Sequence, residues 1–185
     1  MLLSNFGLKF KAVPAGIQED HRCTGGKFAE LVKRISKQKA SHVSKHHTGL
    51  IIAADTIVVL DGKVIGKPTS PLHAIKILKR LSGKTHHVYT GVTILPAYSE
   101  GKGSYSTFER TCVKFRKLTA KEINSYVCSR SPMDKAGAYG IQDDFGCTFV
   151  EKIEGDFFNV VGLPILKTYR GLKKFIKLSF HTWGE

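Results

Sequence analysis

The chain is sparing with cysteine, short of acidic residues and free of long apolar runs. Its four cysteines, Cys23, Cys112, Cys128 and Cys147, stand far apart and form no CxxC pair. That argues against a zinc site, and so few thiols in a chain of this size fit a reducing compartment, so a cytoplasmic location is expected. No apolar stretch approaches the ~18 residues of a membrane span. The start, Met1 to Phe10, lacks the basic region and apolar core of a signal peptide. There is no GxxxxGK[ST] frame and no GxSxG, which excludes a P-loop and a serine-hydrolase elbow. The pairs His46-His47 and His86-His87 lack the i, i+4 spacing of a helical zinc hydrolase. With no repeat, low-complexity tract or linker, residues 1–185 read as one domain or two closely packed lobes.

What is abundant is basic charge. Lys and Arg number 29 against 15 Asp and Glu, a formal +14. Such a surface attracts polyanions, nucleotide or nucleic acid among them. Apart from Lys33 to Lys45 and Arg170 to Lys177, however, the cations are dispersed, and no dense aromatic-basic patch accompanies them. Nucleic acid is therefore not an expected partner.

Periodicity predicts an α/β fold. Lys9 to Val13 reads as a short strand, and Phe28, Leu31, Val32 and Ile35 have the spacing of an amphipathic helix running past Lys39. Leu50 to Leu60 is almost continuously apolar, as in a strand buried on both faces, and Asp61-Gly62 turns it into Lys63 to Ile65. Ser70-Pro71 opens a helix that Gly83 stops. Val88 to Leu95 and Ser106 to Phe115 read as strands, and Thr119 to Glu122 is a capping box for a helix to about Cys128. Phe149 to Ile153 and Phe157 to Val161 suggest a second hairpin, and a closing helix begins at Pro164.

Few residues ask for chemistry. Asp55 lies within an apolar strand, where an ionised carboxylate costs several kcal/mol unless a cation compensates it. It reads either as a functional acid or as an Asp bonded to amides at a bend. Lys67, in Gly66-Lys67-Pro68, reads as a phosphate ligand or an exposed loop lysine. Asp134 to Gln142 combines small residues, two glycines, a cation and an amide, which suits a loop close to a ligand, or a plain connection. Glu19-Asp20 reads as a metal-binding pair or a solvated loop, and Lys39 as a helix-surface lysine.

Together these segments resemble the Maf family of nucleotide pyrophosphatases. The similar stretches are Ala54-Asp-Thr-Ile-Val58, Gly66-Lys-Pro68, Leu81-Ser-Gly-Lys-Thr-His86, Thr90-Gly-Val92, Asp134 to Gln142 and Asn159-Val-Val-Gly-Leu-Pro164. They occur in the family's order and cover most of the chain. The resemblance implies a mixed twisted sheet in two lobes around a cleft, as in the inosine triphosphate pyrophosphatases. It also implies a divalent cation, with magnesium first in line, and a homodimer. By motif, Asp55 is the proton acceptor for the attacking water, and Lys39, Lys67 and Glu19 complete the polar site. Asp55 and Glu19 are the expected metal ligands, and Thr56 and Gln142 match positions of substrate choice. Ala136 to Gln142 has the form of the dTTP/UTP branch, whereas a branch acting on 7-methylguanosine triphosphate carries Glu at the last position. The implied activity is hydrolysis of dTTP and UTP to monophosphate and pyrophosphate, with a role in clearing modified nucleotides and a link to septum formation and division arrest. The alternative is a weakly active or inactive nucleotide- or nucleic-acid-binding relative.

The sequence departs from the family at one place. The first strand and the Ser-x-Ser-Pro-Arg-Arg loop that usually precede the Leu-Leu pair are absent from these 185 residues, where Leu2-Leu3 follows Met1. Two guanidinium groups of a triphosphate site would go with them, and reduced turnover is the expectation.

Overall fold

A computed structural model describes residues 2–6, 8–23, 25–98, 103–143 and 145–176. Lys177, the end of the second basic run, lies outside them. The frame is a five-stranded sheet ordered β2-β1-β3-β4-β5, with β1 at Leu50–Leu60, β2 at Lys63–Ile65, β3 at Thr85–Pro96, β4 at Tyr105–Phe115 and β5 at Val150–Glu154. The α/β architecture stands as expected, but the sheet is antiparallel rather than mixed at all four pairings among the described residues. Short turns join β1 to β2, and antiparallel neighbours need no long crossover. Asp61 and Gly62, at φ 51° and 72°, make the expected tight turn.

The alternation of β1 divides the core between two faces. Ile57 and Val59 pack with Leu31, Val32 and Ile35 of α1 (Phe28–Val43). Val58 and Leu60 pack on the other face with Leu78 and Leu81 of α2 (Pro71–Leu81) and Ile123 and Tyr126 of α3 (Ala120–Cys128). This is why the run is apolar at every position: the strand is covered twice. On β3 the same rule sends Gly91 towards α1, so closely that a Cβ there would lie 2.3 Å from the carbonyl carbon and oxygen of Val32.

Capping residues set the helices as the sequence predicts. Ser70 accepts a hydrogen bond from the His73 N–H, and Thr119 and Glu122 form the reciprocal capping box. Two expectations are corrected. Lys9 to Val13 is not a strand, because Lys9 to Ala12 is exposed and offers no apolar face for a sheet to bury. Phe157 to Val161 forms no hairpin with β5 but the short helix α4 (Phe157–Val161). The Asp156 carboxylate accepts from the Phe158 and Asn159 N–H groups and Gly162 closes the helix at φ 117°, so capping overrides the strand preference of Phe and Val. The closing helix α5 follows at Ile165–Leu172. No helix among the described residues is long and apolar enough to cross a membrane.

Candidate active site

β2 covers only Val58 to Leu60 of its neighbour. A cleft of about 610 Å³ opens beside the middle of β1, where Asp55, Thr56 and Val58 reach it together. Its remaining walls come from both sides of the sheet: Glu19 and His21 on the leading segment, Lys39 on α1, Lys67 after β2, and the loop from Asp134 to Asp143. Every residue singled out for the site, Glu19, Lys39, Asp55, Thr56, Lys67 and Gln142, therefore borders one cavity of ordinary ligand size.

The charged centre is compact. Lys39 Nζ lies 2.8 Å from both Glu19 Oε1 and Asp55 Oδ1. His21 Nε2 is 3.2 Å from Asp55 Oδ2 and 3.6 Å from Glu19 Oε2. Burial alone would raise the Asp55 pKa, but hydrogen bonds from His21 and Lys39 outweigh it and hold the carboxyl below its usual range. Burial likewise opposes the charge on Lys39, yet its bonds to Asp55 and Glu19 raise its pKa. The bond to Asp55 raises that of His21 against its desolvation. The apolar strand thus carries an ionised acid because two side chains, Lys39 and His21, compensate it.

Glu19, His21 and Asp55 bring one donor atom each within 4.8 Å of one another. Two carboxylates and an imidazole fit a divalent cation, and the ammonium of Lys39 already marks the place as one that attracts positive charge. Asp20 does not join them: its carboxylate turns away to Arg22, 2.8 Å distant. His21 was not expected. The signal lay in Glu19-Asp20-His21, since residues two apart on an extended segment fall on the same side.

The loop opposite is held from behind. Gly137 at φ 74° and Ala138 at φ 57° carry the chain over Val58, and a Cβ at Gly137 would lie 2.9 Å from that side chain. The Gly137 N–H donates to the Gly66 carbonyl, which ties this loop to the one bearing Lys67. Tyr126 Oη accepts from the Gly140 N–H at 3.0 Å and donates to Asp143 Oδ2 at 2.7 Å, on either side of exposed Gln142. Beneath, Tyr139 Oη is 2.8 Å from Nε2 of buried His86, whose pKa burial lowers to about 4, so that it stays neutral. Neither Tyr126 nor Asp143 stands out locally, and His86 stands out only in a histidine pair and at the end of a family-like stretch, because each acts through partners distant in sequence.

The description "Maf-like protein" belongs to the family model that matches residues 1–175. The chain belongs to the Maf family. A Maf relative from Carboxydothermus hydrogenoformans, named dTTP/UTP pyrophosphatase, is 46% identical over 175 residues, covering 94% of this chain and 91% of its own. One of the same name from Aquifex aeolicus is 44% identical over 179 residues, covering 96% and 90%. A third, from Thermosipho melanesiensis, is 47% identical over 169 residues, covering 91% and 87%. The Maf resemblance read from six motifs thus extends along nearly the whole chain.

Proposed function

We propose that this chain is a nucleoside triphosphate pyrophosphatase that hydrolyses dTTP and UTP to the monophosphate and pyrophosphate. The observation that carries the reading is the convergence of Asp55, Glu19, His21, Lys39 and Lys67 with Gln142 on one cleft, in a chain whose relatives bear that name. A triphosphate brings about four negative charges at neutral pH, which have to be screened before water can approach the α-phosphorus. Lys67, on the exposed rim, and Lys39, deeper in the cleft, meet that charge from two sides.

Asp55 is the proton acceptor for the attacking water. While Lys39 and His21 bind it, its depressed pKa makes it a poor base. Phosphate oxygens that draw Lys39 away from Asp55 return basicity to the carboxylate only when substrate is present. Glu19, His21 and Asp55 are the residues that would hold a divalent cation, most naturally magnesium given two carboxylates. That ion supplies charge neutralisation and a polarised water. Thr56 on β1 and Gln142 on the loop opposite meet the base. The whole chain acts as one Maf-like domain, in the cytoplasm and as a homodimer.

The position of bond cleavage tests the reading. Hydrolysis of UTP in ¹⁸O-water places the label in UMP, with unlabelled pyrophosphate. Label in inorganic phosphate, with UDP as the other product, refutes attack at the α-phosphorus.

A further inference from the structure

A line of hydroxyl groups runs out of the cleft into the sheet and takes no part in the hydrolysis itself. Thr56 on β1 and Thr90 on β3 are register partners with Oγ1 atoms 2.9 Å apart. Thr90 is fully buried, and its Oγ1 is also 3.1 Å from the main-chain oxygen of Asn159 in α4. Asn159 is fixed in turn, because its Nδ2 donates to the Val88 carbonyl at 3.0 Å and to Thr111 Oγ1 at 2.9 Å.

These contacts set a direction. A carbonyl oxygen only accepts, so the single hydroxyl proton of Thr90 goes to Asn159. The reverse assignment sets lone pair against lone pair at 3.1 Å in a buried place. Thr90 Oγ1 is then an acceptor on its other side, and the Thr56 proton points back to it. Towards the cavity Thr56 offers lone pairs alone. Gly162 lies just beyond, but its N–H is engaged by the Phe158 and Asn159 carbonyls and brings no proton to that oxygen.

We propose that Thr90 is a positioning residue for base selection. By fixing the direction of the Thr56 hydroxyl, it makes the cleft accept a pyrimidine with N–H at ring position 3 and turn away one with a lone pair there. The inference rests on the pyrophosphatase reading and supplies a physical reason for uracil and thymine over cytosine. Uracil and thymine carry the proton at N3, whereas cytosine carries a lone pair that meets the lone pairs of Thr56. The Gln142 amide both donates and accepts, so by rotating it serves either base. Thr56 is locked from behind and serves one.

The test compares kcat and KM for UTP and CTP in the wild type, Thr90→Val and Thr90→Ser, with a thermal melt of each. The wild type favours UTP. Thr90→Val releases the Thr56 proton to turn into the cleft, so the UTP-to-CTP ratio of kcat/KM shrinks on the order of tenfold, chiefly through KM. Thr90→Ser keeps the hydroxyl and the ratio. Thr90→Cys, a weak donor, gives the same reading if the valine variant does not fold. A folded Thr90→Val protein with the wild-type ratio overturns the proposal. So does one that loses both substrates equally, as does a wild type indifferent to the base. Binding of the non-hydrolysable α,β-imido analogues of UTP and CTP reads the same ratio without turnover. A chain that discriminates these analogues but releases no pyrophosphate refutes the enzyme reading and leaves the selection by Thr90 standing.

Discussion

Replacing Lys39 by Met keeps most of the side-chain volume and deletes a charge that lies 2.8 Å from both Glu19 and Asp55. The side chain of Lys39 is 16% exposed, that of Asp55 3% and that of Glu19 32%, so the cluster is neither a surface pair nor a fully buried one. Breaking a buried pair costs about 3–5 kcal/mol, and breaking a surface pair less than about 1. An intermediate loss of about 2 kcal/mol is expected, limited by His21, which still bonds Asp55. With the ammonium gone, the donor set of Glu19, His21 and Asp55 is open to a divalent cation without competition. Magnesium or manganese should therefore stabilise the variant more than the wild type, the variant gaining about 2.7 kcal/mol over its own metal-free form at a concentration 100-fold above its Kd. Turnover should fall on the order of 100-fold or more, as for loss of a preorganised charge at a reacting centre. The assay is urea unfolding at neutral pH, in chelator and with each metal, beside pyrophosphate release. An unchanged midpoint in chelator, or equal metal effects on variant and wild type, would refute the shared-cation account.

Two further predictions concern stability. Gly91→Ala sets a methyl group 2.3 Å from main-chain atoms of Val32, which cannot yield unless α1 moves. A loss on the order of 3 kcal/mol is expected, with a lower Tm and weakened turnover as Lys39 shifts, and a wild-type melting curve would contradict it. The His21–Asp55 attraction has a defined pH window. The raised pKa of His21 makes its contribution complete below its ordinary 6.5 and lost as pH rises through the folded value, while the lowered pKa of Asp55 makes its contribution complete above its ordinary 3.8 and lost as pH falls through the folded value. His21→Gln should therefore cost most stability between these limits and little at pH well above neutral. Urea unfolding across pH checks this, and an equal cost in mildly acid and alkaline buffer would rule it out.

The fold was legible wherever a local rule decided it. The alternate burial of Ile57 to Leu60, the Asp61-Gly62 turn and the caps at Ser70 and Thr119 depend on neighbours within a few residues. It was misread where a residue's preference yielded to its surroundings. Phe157 and Val160 favour strands, but Asp156 caps a helix there, and Lys9 to Val13 has strand-like residues with no sheet to cover them. In the site, Asp55 announced itself as a charge within an apolar run, whereas nothing local separates Lys39 from the other lysines of α1, and only the family motif selected it. His21 went unnamed, and Thr90, although inside the Thr90-Gly-Val92 stretch, was given no role, for one reason. Each acquires its meaning from a partner 34 residues away, set by strand register and by the path of the leading segment.

Pyrophosphate release by the purified chain tests the central claim most directly, with magnesium and dTTP, UTP, CTP or GTP in turn, and Asp55→Asn assayed beside it. The account predicts release from dTTP and UTP above the other two, reduced on the order of 100-fold or more by a substitution that keeps the shape of the acid and removes its charge. No release from any nucleotide, or release that Asp55→Asn leaves untouched, would contradict it.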